Sequence, residues 1–121
     1  MRTSRKHHNL LVWQEGMNIV DLTYEITSKF PDSEKFGLTS QMQRCAVSIP
    51  SNIAEGAARE SDKEFIRFLI IARGSLSELE TQLLIAERLG FIDNANNPLQ
   101  LVDKIFALLG GLINSIKNRN S

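Results

Sequence analysis

The chain has 121 residues, with 14 basic and 14 acidic side chains, two histidines and one cysteine. That length suits one domain with a single unstapled core, and the cancelling charges leave no long-range field to draw nucleic acid or an acidic membrane onto the whole surface. One cysteine makes no internal disulfide, and no secretory signal or membrane-spanning run is read here, so a reducing, cytoplasmic setting is expected.

Helical periodicity runs from Leu10 to about Lys117. In the first helix Trp13, Met17, Val20, Tyr24 and Thr27 recur in steps of three and four, which predicts that they form its core seam. Pro31 disfavours helical geometry at Phe30 and ends that segment. The second helix is predicted to begin near Thr39 or Ser40, with Leu38, Met42, Cys45, Ile49 and Gly56 on the seam and Ile53 widening it. Pro50 lies inside this helix, where it removes the amide that would bond the Ala46 carbonyl; a kink is expected, with Ser48, Ser51 and Asn52 placed to bond the freed groups.

The third helix is predicted over residues 62–89. Phe65, Leu69, Ala72, Leu76, Leu79, Leu83 and Ala86 form its seam, Ser61 and Glu64 read as a capping box, and Gly90 supplies a permissive end. The fourth is predicted to start with Asn97 as cap and Pro98 at the first helical position, followed by Val102, Ile105, Leu109, Leu112 and Ile116. Short connections between four such helices predict an all-α fold, an antiparallel up-down four-helix bundle with a proline-kinked second helix. It spans residues 1–121 as one domain, with residues 1–8 as a flexible basic arm.

Polar groups beside the seams are the first functional candidates. Arg73, Ser77 and Glu80 point toward an edge of the core, and Glu55 is the expected partner of Arg73. With Ser48, Ser51 and Asn52 they form a predicted structural polar network. Catalytic apparatus is not legible: Cys45 occupies a seam position, and the adjacent His7 and His8 lie in the arm, far from any nucleophile that sequence can place. Glu78 and Glu80 turn about 200° from each other on a helix and cannot share a water or a metal. No enzyme activity, cofactor, metal or small-molecule substrate is expected.

The fourth helix has no charged side chain between Lys104 and Lys117, and beside its seam it displays Leu101, Leu108 and the pair Phe106 and Ile113. A helix apolar on more than one side is buried on more than one side, so Leu101, Phe106, Leu108 and Ile113 are predicted at a contact with another subunit. Gly110 and Gly111 fit a close approach of backbones there. The alternative, a membrane-surface helix, lacks the lysine-rich polar face that such helices carry. Nucleic-acid contact, if made, falls to local groups: Arg2, Arg5 and Lys6 in the arm, and Arg59, Lys63 and Arg67 at steps of four across the join of the second and third helices, where Glu60, Asp62 and Glu64 interleave.

Four phrases recur together in this chain: LLVWQ (residues 10–14), FPDSEKFGLTSQM (30–42), SIPSNIAEG (48–56) and ARGSLSELETQLLIAERLG (72–90). From about Leu11 to Ile92 they resemble the four-helix-bundle family of small bacterial proteins encoded in intervening sequences of large-subunit ribosomal RNA genes. A related branch comprises accessory proteins of diversity-generating retroelements. The resemblance implies a non-enzymatic homo-oligomer, a pentameric barrel, that binds RNA, DNA or a nucleic-acid enzyme such as a reverse transcriptase. The retroelement branch is strongly basic where this chain is neutral. The alternative function is a protein–protein scaffold without a nucleic-acid role.

Overall fold

A computed structural model describes residues 2–119, and among these every regular element is helical. Four α-helices, α1 (Leu11–Thr27), α2 (Leu38–Ala57), α3 (Asp62–Arg88) and α4 (Asn96–Asn118), are preceded by a short 3₁₀ turn at Lys6–Asn9, and a second such turn lies at Asp32–Glu34. Each helix packs on its sequence neighbours, α4 closes onto α1, and the backbones of the diagonal pairs make no close approach. Partner order reverses between neighbours. Gly16 faces Pro50 while Thr27 bonds Gln43, and Arg119 at the end of α4 bonds Asp62 at the start of α3 through Nη2 to Oδ1 at 2.7 Å and Nε to Oδ2 at 3.2 Å.

The seam of α3 is buried along its predicted length, from Phe65 to Ala86. Ser61 caps this helix, its hydroxyl accepting from the Glu64 amide at 3.1 Å. The reciprocal half of the box is absent among the described hydrogen bonds, because the Glu64 carboxylate accepts from Arg67 Nε at 2.7 Å instead. Gly90 follows with φ of 80°, the left-handed conformation in which it carries no Cβ penalty. In α2, Met42, Cys45, Ile49, Ile53 and Gly56 are buried as the pattern predicts. That helix starts at Leu38, one residue before the expected boundary, where Glu34 Oε1 accepts from the Leu38 amide at 3.2 Å.

The register of α1 differs from the predicted seam. Thr27 is buried as predicted, but Met17 and Tyr24 are exposed and Trp13 and Val20 only half-buried, whereas Val12, Glu15, Gly16, Ile19 and Thr23 face the core. Two threonines enter the core because each satisfies its hydroxyl locally: Thr23 donates to the Ile19 carbonyl at 2.7 Å and Thr27 to that of Thr23 at 2.8 Å. Glu15 enters because Lys104 of α4 meets it in an ion pair and Asn18 donates to it at 2.8 Å. Those contacts, Lys104 foremost, hold the Glu15 carboxyl below the ordinary carboxylate range despite its burial.

The start of α4 also departs from expectation. Asn96 is its first residue, and the cap is built from the preceding loop: Asn94 Oδ1 accepts from the Asn96 amide at 2.8 Å, and Glu87 accepts from that of Ala95 at 2.7 Å. Pro98 sits within the first turn, where a missing amide leaves no internal bond unmade. By length and composition α4 could cross a membrane. Val102, Ile105, Leu109, Ile113 and Ile116 are buried in the bundle, whereas Leu99, Leu101, Phe106, Leu108 and Leu112 are only half-buried, and 28% of the apolar window is buried in all.

Candidate functional site

Residues at the N-terminal arm are held against the bundle. Lys6–Asn9 form a turn that touches both α1 and α2, Gln14 Nε2 donates to the His8 carbonyl at 2.8 Å, and the Arg5 amide donates to His8 Nδ1 at 2.9 Å. The imidazoles of His7 and His8 pack on Trp13, with ring centres 5.1 and 5.0 Å away. Of the arm expected over residues 1–8, residues 6–8 lie in this packed turn, residues 2–5 precede it without regular structure, and Met1 lies outside the described residues. The physical reason is Trp13 itself: turned out of the core by the register of α1, it offers an apolar face that two imidazoles cover. Partial burial, then the neighbouring His8 and Arg5, lowers the pKa of His7. Arg2, Arg5 and Lys6 are exposed, and none forms an ion pair among the described residues.

The second basic group is partly neutralised. Arg59 pairs with Glu55 at 3.2 Å and Arg67 with Glu64 at 2.7 Å, and the two guanidinium groups lie over the ring of Phe68, 4.9 and 4.6 Å from its centre. Lys63 is exposed between them. Such a cluster stiffens the α2–α3 corner through cation–π contact and leaves little unopposed charge for phosphate.

The predicted polar network does not form as one unit. Glu55 is taken by Arg59, four residues on and just past the end of α2, so the expected Glu55–Arg73 pair is absent; Arg73 and Ser77 are exposed and Glu80 half-buried. A local partner at i+4 reaches Glu55 at less cost in side-chain freedom than one from another helix. Around Pro50, Ser48 donates to the Cys45 carbonyl at 2.7 Å and Asn52 to that of Ser48 at 2.7 Å, while Ser51 is exposed. These bonds flank the Ala46 carbonyl rather than meeting it. Pro50 itself is buried within the unbroken α2 helix, and a Cβ added to Gly16 would stand 3.3 Å from its ring.

On α4, Ile113 is 4% exposed and lies in the core of its own subunit, which corrects its place at a subunit contact. Leu101, Phe106 and Leu108 are half-buried and pack against the same core. Leu112, predicted on the seam, is half-buried against the same core, while the helix phase turns Ile113 fully inward. Neither Gly110 nor Gly111 approaches another helix, since a Cβ added to either meets nothing within 4 Å.

A groove that sequence reasoning missed runs between α2 and α3. It encloses about 660 Å³ and is lined by Gln41, Arg44, Cys45, Ser48, Glu78, Thr81 and Gln82. At its base the Cys45 thiol donates to the Ser75 carbonyl at 2.9 Å; burial first, then the Glu78 carboxylate, push its pKa up to about 12. A thiol so held is a poor nucleophile. Gln82 is 7% exposed and its side-chain oxygen has no hydrogen-bond partner. The available signal was compositional: ELETQL places a glutamine directly beside the seam leucines Leu79 and Leu83, with Gly74 at eight residues' distance on the same side.

Among the described residues no three His, Cys, Asp or Glu side chains gather closely enough to hold a metal. What the geometry defines is a small helical bundle whose distinctive phrases serve packing: SIPSNIAEG lies along α2 where Pro50 meets Gly16, and Gly56 meets Phe65 and Phe68 of α3. The chain belongs to the 23S rRNA-intervening sequence protein family, whose model matches residues 8–111. A search of curated proteins gave no match.

Proposed function

We propose that this chain is a non-enzymatic, homo-oligomeric member of its family, working in the cytoplasm as a pentameric ring that engages RNA or DNA, or an enzyme acting on them such as a reverse transcriptase. Contact runs through phosphates. The observation that carries this reading is the trio Arg2, Arg5 and Lys6, exposed and without an ion pair among the described residues, at and before a turn whose His7 and His8 pack on Trp13. In a chain of zero net charge this is a local cationic patch, and an oligomer repeats it, so that weak single contacts add by avidity. No cofactor, small-molecule substrate or membrane enters this reading.

The test is an RNA-binding isotherm taken across salt concentrations with the triple variant Arg2→Gln, Arg5→Gln, Lys6→Gln, which keeps His7, His8 and the docking on Trp13. Binding by the native protein should weaken steeply with salt, and the variant should flatten the log–log slope by roughly 2 for each chain engaged, at about 0.7 to 0.9 per phosphate contact. Absence of binding at low salt would leave the protein–protein scaffold, which the pairing of Arg59 and Arg67 with nearby acids, Glu55 and Glu64, favours.

A further inference from the structure

The chain has only two histidines, and both sit in the turn that carries the cationic arm. His8 is bonded there in a way that requires an unprotonated nitrogen. A backbone amide can only donate, so His8 Nδ1, 2.9 Å from the Arg5 nitrogen, must accept; an imidazolium carries a hydrogen on both ring nitrogens and accepts nothing. That bond closes the turn. The His8 amide returns it to the Arg5 carbonyl at 3.0 Å, and the His8 carbonyl takes the side chain of Gln14.

His7 is equally ill placed for a charge. It packs on Trp13 and walls a hollow of about 370 Å³ with Met17 of α1 and Val47, Pro50 and Ser51 of α2, and no residue of that hollow besides His7 titrates. Of the acids near these residues in sequence, Glu15 pairs with Lys104, Glu55 pairs with Arg59, and Asp21 is exposed. From its own turn His7 faces Arg5 and His8, which both oppose a proton on it, and Lys6 beside it is exposed. The two imidazole centres lie 4.5 Å apart, so two protons there repel. An indole face attracts one imidazolium, yet that attraction leaves the His8 bond broken and sets two like charges side by side.

We infer that this turn is a proton-operated clasp: with both imidazoles neutral it holds the arm against Trp13, and with both protonated it lets go. Release adds two charges to those of Arg2, Arg5 and Lys6, so the arm passes from three positive charges to five. As regulation of the phosphate contact proposed above, the clasp rests on that reading; phosphate beside the arm favours charged imidazoles, so binding and release promote each other. The sign follows from His7, whose pKa is lowered by docking: docking is complete above the ordinary histidine value and is lost as pH falls below it.

The test is a titration of the native protein from about pH 7.5 to about pH 5.5, where histidine is the only side chain of ordinary pKa that changes charge. Emission from Trp13, the only tryptophan, should fall and move to longer wavelength as the imidazoles leave it, and the NMR resonance of the Arg5 amide should shift with the same midpoint. Binding of a uridine oligonucleotide, whose bases do not titrate in this window, should become more salt-dependent on acidification, by roughly 1.4 in log–log slope for each chain engaged, at about 0.7 per added phosphate contact. In the double variant His7→Phe, His8→Asn a phenyl ring covers the indole and the Asn oxygen accepts from Arg5, so none of these readouts should change with pH. A native emission or Arg5 resonance that acid leaves in place overturns the clasp, as does a pH response that survives in the variant or a binding slope equal at the two pH values. An oligonucleotide that stays unbound at low salt at both pH values sinks the phosphate reading, while the emission and the Arg5 resonance still decide the clasp.

Discussion

Replacing Gly56 by Ala sets two effects of opposite sign against each other. Alanine is favoured over glycine by up to about 1 kcal/mol in a helix, less so here in the last turn of α2. Against that, a Cβ at position 56 would stand 2.7 Å from Phe68 Cβ, 3.1 Å from Phe65 Cδ1 and 3.2 Å from the Phe65 carbonyl oxygen. Ordinary carbon contacts lie at roughly 3.5–4.0 Å, and neither Phe68 Cβ nor the Phe65 carbonyl can swing away on a flexible stem. The helices must part by about 1 Å where Phe65, Phe68 and Ile53 interlock, an overpacking cost of about 1–3 kcal/mol or more. The net expectation is a loss of about 1–2 kcal/mol, or a fall in Tm of roughly 4–10 °C for a chain of this size. Gly111→Ala is the matched control: with nothing within 4 Å, it should gain up to about 1 kcal/mol. Thermal unfolding followed by circular dichroism measures both. A Gly56→Ala midpoint at or above that of the native protein would refute the close approach of α2 and α3 at this point.

Leu76→Ala, at the fully buried middle of α3, should cost about 2–5 kcal/mol in a urea titration, while Asn114→Ala on the exposed side of α4 should change almost nothing. Glu15→Gln should cost about 1–2 kcal/mol, between an exposed pair and a buried one. Because the folded protein holds Glu15 below its ordinary pKa, the contribution is complete above the carboxylate range and is lost as pH falls through the lowered value, so the difference from Glu15→Gln should shrink on acidification. Cys45, with its thiol pushed up to about 12, should resist a thiol-reactive disulfide reagent at pH 8 in the folded protein and react at once in denaturant; fast labelling of the native form would contradict its burial. Trp13 fluorescence should fall with acid as His7 protonates, with a midpoint below that of a free histidine; a midpoint at or above it would mean that the turn does not dock.

Much of the bundle could be read from sequence because its strongest signals are local. The seven seam residues of α3 and the Ser61 cap depend on spacing and on one hydroxyl, and both survive packing unchanged. The register of α1 was illegible for a physical reason: hydrophobicity counts Thr23 and Glu15 as outward residues, yet the hydroxyl finds the Ile19 carbonyl within the helix and the carboxylate finds Lys104 from 89 positions away. The α4 cap failed similarly, since Asn94 and Glu87 reach it from a loop and from α3. At the candidate sites, the exposure of Arg2, Arg5 and Lys6 was readable, but the docking of their turn on Trp13 followed from that shifted register. The groove beside Gln82 needs two helices at once, and no single run of residues announces it.

The connection between α2 and α3, residues 58–61, is the shortest of the three that join the four helices. Closing so small a loop loses little chain entropy, and the pair it joins shares the largest interface in the bundle. In kinetic terms this hairpin is the cheapest nucleus available: it can form from contacts close in sequence before α1 and α4 arrive. Substitutions at Gly56 and Phe68 should then slow refolding, whereas those at the Glu15–Lys104 contact should mainly hasten unfolding. On this expectation, the glycine that lets two helices touch also helps decide which of the four meet first.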